Sequence, residues 1–112
     1  MRGLNKVTLI GNLGKDPENQ QLPENIAVSK FTLATTEIFK DKNGQPNAKT
    51  EWHTIVLWRS LAELAAKYLQ KGSLVYIEGK LKTRQFEDKE GKIRYTTEIV
   101  AEQLIMLDKK ND

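Results

Sequence analysis

The chain has 112 residues, the size of one domain, and no cysteine. A domain this long buries roughly 60–70% of the surface its unfolded chain exposes, so it needs no disulfides, and without thiols it can form no thiolate metal site. Eighteen basic against fifteen acidic residues leave a net charge of +3, which a solvated surface explains as well as a polyanionic partner does, so the distribution of charge has to decide. The first six residues, MRGLNK, hold no apolar h-region, and no apolar run approaches the roughly 20 residues of a membrane span. The expectation is a soluble, cytoplasmic protein with no membrane partner.

The first predicted strand covers residues 6–13, with Val7, Leu9 and Gly11 on one face and Thr8 and Ile10 on the other. GNLGKDP punctuates it; Gly14 is spaced for a bend, and no GK[ST] follows to make a phosphate cradle. A polar stretch over residues 18–25 leads to a second strand over 26–39, where Phe31 and Leu33 share a face. Asp41-Lys42-Asn43-Gly44-Gln45-Pro46-Asn47 is a loop by turn chemistry, and a third strand follows over 50–58. Ser60-Leu61-Ala62-Glu63 has the form of a capping box, with Ser60 as N-cap. The helix it opens carries Leu61, Leu64, Ala65, Tyr68 and Leu69 at helical spacing, and Gly72 is placed to end it in the left-handed conformation. A fourth strand over 74–86, a turn at 88–91 and a fifth strand over 93–107 complete the domain, with residues 108–112 expected to fray.

The order β-β-β-α-β-β predicts an all-β protein with one helix between the third and fourth strands: the five-stranded Greek-key barrel of an OB-fold, covering residues 1–107. No internal repeat or low-complexity segment is evident.

The third strand is the most informative segment. Trp52, Thr54, Val56 and Trp58 alternate with His53, Ile55 and Leu57. Ile55 and Leu57 suffice to face a barrel interior, which leaves both indoles on the solvent side. Two exposed indoles need a reason: a subunit interface, a bulge that turns one ring inward, or a platform on which bases stack. The fourth strand repeats the theme, with Lys80, Lys82, Arg84 and Phe86 on one face opposite Leu81 and Thr83, and Arg94 on the returning strand. Phe39 leads into a loop bearing Lys40, Lys42 and Lys49. Rings interleaved with cations suit a phosphate backbone whose bases stack nearby.

No catalytic constellation is evident. His53 is the only histidine, no second His or Cys completes a metal site, and no nucleophile elbow or D-x-D pair is present. The expectation is a protein that is not an enzyme and carries no cofactor and no metal, with His53 in a structural or interface role.

These segments together resemble the bacterial single-stranded DNA-binding proteins. The resemblance is carried by NKVTLIGNLGKDPE (residues 5–18), FTLAT (31–35), TEWHTIVLW (50–58), LAE (61–63), KGSLVYIEGKLKTR (71–84) and RYTTEI (94–99), in the right order over most of residues 4–107. It implies an OB barrel that assembles into a homotetramer, wraps single-stranded DNA, and acts in replication, recombination and repair, associated with the nucleoid. It implies stacking roles for Phe39, Trp52, Trp58 and Phe86; in relatives the first and last are often Trp and the third is often Phe. Matching phosphate-binding positions are Arg2, Lys6, Lys42, Lys71, Lys82, Arg84 and Arg94, and His53 matches a histidine near a subunit contact. Thr54, Ser60 and Gln85 stand where relatives often carry Arg or Lys, and Arg59 supplies charge on a neighbouring position. Family members usually continue into a linker and an acidic, Phe-terminated peptide that recruits repair and replication proteins. This sequence closes on DKKND instead, so the resemblance does not carry those partners over. Two other readings share the fold: an OB module that binds protein, and a binder of single-stranded RNA, since recognition of the 2′-hydroxyl cannot be read from sequence.

Overall fold

A computed structural model of the protein describes residues 1–108; the residues from 109 on, where fraying is expected, lie outside them. Six strands, one 3₁₀ turn and one α-helix follow in the order β1 (Val7–Leu13), β2 (Glu18–Leu22), the turn (Pro23–Asn25), β3 (Ile26–Lys40), β4 (Pro46–Trp58), α1 (Ser60–Tyr68), β5 (Leu74–Glu87) and β6 (Ile93–Met106). The hydrogen-bonded order is β1-β5-β6-β4-β3-β2, and an added pairing of β1 with β3 closes five of the strands into a ring. All pairings are antiparallel except β4 with β6, where Ile55 faces Ile99 and Val56 faces Val100. This is the OB-fold barrel, with α1 between the third and fourth strands of the ring.

The sixth strand is the one the sequence reading misses. Glu-Asn-Gln-Gln-Leu has weak β-propensity, yet residues 18–22 pair in register with 26–30 and extend the sheet at the free side of β3. Ser29, fully buried, donates a hydrogen bond to Asn19 Oδ1 at 2.7 Å. β2 therefore satisfies a hydroxyl that β3 buries.

The core follows the period-two reading. Phe31 and Leu33 of β3, Ile55 and Leu57 of β4, Val75 and Ile77 of β5 and Ile99 of β6 all point inward, with Leu13 from β1. Ala62, Ala65 and Leu69 from the helical segment pack against them. The helical stripe is rotated from the expected one: Ala62 is buried, whereas Tyr68 faces solvent with the Lys67 ammonium 5.3 Å from its ring centroid.

Two expectations at the helix ends are corrected. Ser60 is the first helical residue and not the cap; the N-cap is Arg59, at φ 59°, and no side chain caps the helix. The Arg59 N–H donates to the Ala27 carbonyl at 2.8 Å, so pairing with β3 fixes the chain direction there and overrides the capping box. At the other end the C-cap is Leu69, in extended conformation. Gly72 does take a positive φ of 91°, but in the turn that follows, where its N–H donates to the Leu13 carbonyl at 2.9 Å.

Candidate nucleic-acid interface

Strand register fixes which side chains share the barrel's outer face. Across β3 and β4, Val28 faces Trp58, Lys30 faces Val56, Thr32 faces Thr54, and Ala34 faces Trp52. Across β5 and β6, Lys80 faces Val100, Lys82 faces Glu98, Arg84 faces Thr96, and Phe86 faces Arg94. The Val56–Val100 pair joins the two halves into one surface. Both indoles are on it, Trp52 with 61% of its surface exposed and Trp58 with 43%, while Ile55 and Leu57 are fully buried. The bulge that would have turned one ring inward does not occur: β3 and β4 pair without interruption from Val28–Trp58 to Lys40–Pro46.

Trp52 is seated on Gly14. A Cβ built on Gly14 would lie 2.5 Å from Trp52 Cζ3 and 3.1 Å from the Thr32 hydroxyl. The glycine that reads as a bend signal in sequence therefore also makes room for the ring.

A groove of about 290 Å³ runs beside Trp58, walled by Val28, Val56 and Val100 and edged by Lys30, Lys82 and Arg84. Glu98 lines it too, only 7% exposed. Its two carboxylate oxygens are divided between two cations: Arg84 Nε donates to Oε1 at 3.1 Å, and Lys30 Nζ lies 3.5 Å from Oε2. A second recess, of about 120 Å³, is lined by Lys15, Lys30, Phe31, Thr32 and Thr54 among others, so Lys30 borders both hollows. Sequence reasoning missed Lys30 and Glu98. The signal for Lys30 was present, since it alternates with the inward Phe31; that for Glu98 depends on the β5–β6 register, which one strand does not display.

The remaining predicted residues divide. Phe86 and Arg94 form a cross-strand pair on the same face, and Arg94 Nε donates to Asp88 Oδ2 at 2.9 Å. Phe39 is exposed but lies on the other alternation of β3, opposite Asn47. Lys42 is in the β3–β4 turn and exposed. The backbone N–H of Lys71 donates to Asp16 Oδ1 at 2.7 Å, and its side chain is exposed. Arg2 is exposed ahead of β1. Lys6 is bound to Glu78 at 2.7 Å, next to the β1–β5 pair rather than among the groove-lining residues. The hydrogen bond and charge of Glu78 raise the Lys6 ammonium above its ordinary value. His53 is half-buried opposite Leu33, its Nε2 2.9 Å from the Thr35 hydroxyl. Among the described residues no three His, Asp or Glu side chains gather in a way that could hold a metal ion.

The OB barrel agrees with the comparisons to known proteins. The sequence matches the single-strand binding protein family over residues 4–107. The chain belongs to that family. Among solved structures, a Plasmodium falciparum SSB in complex with ssDNA is 37% identical, with a TM-score of 0.88, over 96% of this chain and 98% of that one. A deletion mutant of the single-stranded DNA binding protein from Thermus aquaticus is 34% identical, with a TM-score of 0.82, over 96% of this chain and 52% of that one. The matched residues span the whole barrel described above.

Proposed function

We propose that this family member binds single-stranded DNA on the outer face of β3, β4, β6 and β5 and holds it without transforming it, protecting unpaired strands in replication, recombination and repair. The observation that carries the reading is the pair of exposed indoles on β4 beside a groove bordered by Lys30, Lys82 and Arg84. Bases stack on Trp52, Trp58 and Phe86, with Phe39 reaching the strand from the β3–β4 hairpin. Stacking tolerates any sequence because every base has a π-face. Lys42, Lys71, Lys82, Arg84 and Arg94 meet phosphates, with Arg2 and Lys6 at the periphery. Binding only the unpaired strand favours that state by mass action.

The test is oligo(dT) affinity measured against salt, with duplex DNA as competitor. Log affinity should fall linearly with log salt at about −0.7 per neutralised phosphate, and duplex should compete poorly. A salt-independent affinity, or equal competition by duplex, contradicts the reading. Tetramers are typical of the family, and His53 is assigned to the subunit contact on its match to the family's interface histidine; within the chain its Nε2 meets the Thr35 hydroxyl. Sedimentation velocity should then show smaller species for His53→Tyr than for wild type at low concentration, and His53→Gln should do less harm than added bulk. Wild type that is monomeric at high concentration contradicts the assembly. The compartment proposed is the cytoplasm, at the nucleoid. No described helix is long and apolar enough to cross a membrane.

A further inference from the structure

A carboxylate in a groove meant for phosphates is at first sight out of place. Glu98 repels a strand and neutralises a cation, and its near-complete burial removes it from the water that would otherwise screen it. Its geometry gives it a use. It takes Arg84 by Nε, the nitrogen nearest the stem, and the two terminal nitrogens of that guanidinium make no hydrogen bond among the described residues. Arg84 is half exposed, so its free donors stand at the edge of the groove while its stem is anchored inside it. The other oxygen of the same carboxylate holds Lys30, across the groove on β3. Two cations from strands on opposite sides of the groove are thus tied to one buried anchor, and the set keeps a net charge of +1.

We propose that Glu98 is a positioning residue for DNA binding: it fixes the Arg84 guanidinium with its outer edge presented to a strand phosphate, and holds Lys30 beside it. The inference rests on the reading of Arg84 as a phosphate contact. The physical gain is pre-organisation. A free arginine loses rotamer freedom when it clamps a phosphate, and an arginine already held by Nε loses less. The same anchor leaves the paired nitrogens of the fork available for a two-point contact. A carboxylate that merely neutralised the groove would act in the opposite sense, because removing it would add net positive charge and release two cations to the strand.

The two roles predict opposite signs for Glu98→Gln, which keeps the shape and removes the charge. Positioning predicts that oligo(dT) binding weakens roughly two- to ten-fold, the span that corresponds to fixing one rotamer-rich side chain. It also predicts that most of the loss disappears when Glu98→Gln is made in an Arg84→Met background, because the residue acts chiefly through Arg84 and the hold on Lys30 accounts for the rest. Tighter binding by Glu98→Gln, or the same loss in both backgrounds, overturns the proposal. Failure of the underlying reading looks different: Arg84→Met alone would then leave affinity and salt slope unchanged. Should Glu98→Gln not fold, the wild-type protein still decides. The Arg84 Nε–H order parameter from ¹⁵N relaxation should approach the roughly 0.85 of rigid backbone, and a value below about 0.6 overturns the proposal.

Discussion

The tips of the two long hairpins, β3–β4 and β5–β6, are built on one frame. Phe39-Lys40-Asp41-Lys42-Asn43-Gly44 and Phe86-Glu87-Asp88-Lys89-Glu90-Gly91 share the pattern F-x-D-K-x-G. In each, one carboxylate oxygen of the aspartate accepts two backbone N–H groups at 2.9 Å, from Asn43 and Gln45 in the first and from Glu90 and Lys92 in the second. Each glycine takes a positive φ, 75° at Gly44 and 79° at Gly91, and donates its N–H to the aspartate carbonyl. The other carboxylate oxygen reaches the side chain six residues on. There the tips part: Asp41 accepts from the Asn47 amide at 3.0 Å, Asp88 from the Arg94 guanidinium at 2.9 Å. Those two residues are also the cross-strand partners of Phe39 and Phe86. The same turn therefore sets a neutral amide opposite one ring and an anchored cation opposite the other. As at Glu98, a carboxylate on the β5–β6 hairpin holds an arginine by Nε. The difference is one of charge: the β5–β6 hairpin sets an anchored cation next to its ring, whereas the β3–β4 tip sets a neutral amide there and leaves Lys40 and Lys42 exposed.

The largest expected effect is on the rings. Phe39→Ala and Phe86→Ala should each weaken oligo(dT) binding, by about 1–3 kcal/mol per stacked base, the range measured on proteins of this class, with Phe86→Ala the greater loss. Equal losses, measured by fluorescence titration, would remove the contrast between the tips. Next comes charge. Arg94→Gln should make the salt slope shallower by about 0.7, one phosphate's worth, and Asn47→Ala should leave it unchanged. A slope that Arg94→Gln does not move would show that Asp88 keeps this guanidinium from the strand.

The smallest effect is on proton binding. Both aspartates are held below the ordinary carboxylate value, Asp41 chiefly by the Gln45 N–H and Asp88 chiefly by Arg94. A lowered folded value means that the turn's contribution is complete above the ordinary range, near pH 4, and is lost as pH falls through the folded value beneath it. Followed by the amide shifts of Gln45 and Lys92, both tips should stay closed at pH 5. Arg94→Gln should move the opening of the β5–β6 tip to higher pH, and Asn47→Ala should move that of the β3–β4 tip less. Equal movement would place the main support of both aspartates in the backbone.

Much of the barrel was legible because its strands obey a period of two. Ile55 and Leu57 against Trp52 and Trp58 sorted one strand into core and platform, and the cationic face of β5 followed in the same way. What escaped depends on partners distant in sequence. Residues 18–22 form a strand because β3 offers an edge, not because their side chains prefer one. Arg59 rather than Ser60 takes the N-cap position of α1, where its N–H is committed to Ala27 on β3. Glu98 carries no signal in the sequence: only the β5–β6 register, which sets it opposite Lys82, brings it within reach of the Arg84 guanidinium. The repeated F-x-D-K-x-G frame was present in the letters, but it is too short to register as a repeat without the shared hydrogen bonds that give it meaning.

On the proposed function, both indoles of β4 stack on the bound strand. With only Trp52 and Trp58 in the chain, Trp52→Phe and Trp58→Phe each leave a ring in place and a single reporter behind. Titrated with oligo(dT) at low salt, each single-tryptophan protein should lose most of its emission as it saturates. Emission that stays unchanged from either reporter, with binding shown by an independent method, would contradict the platform.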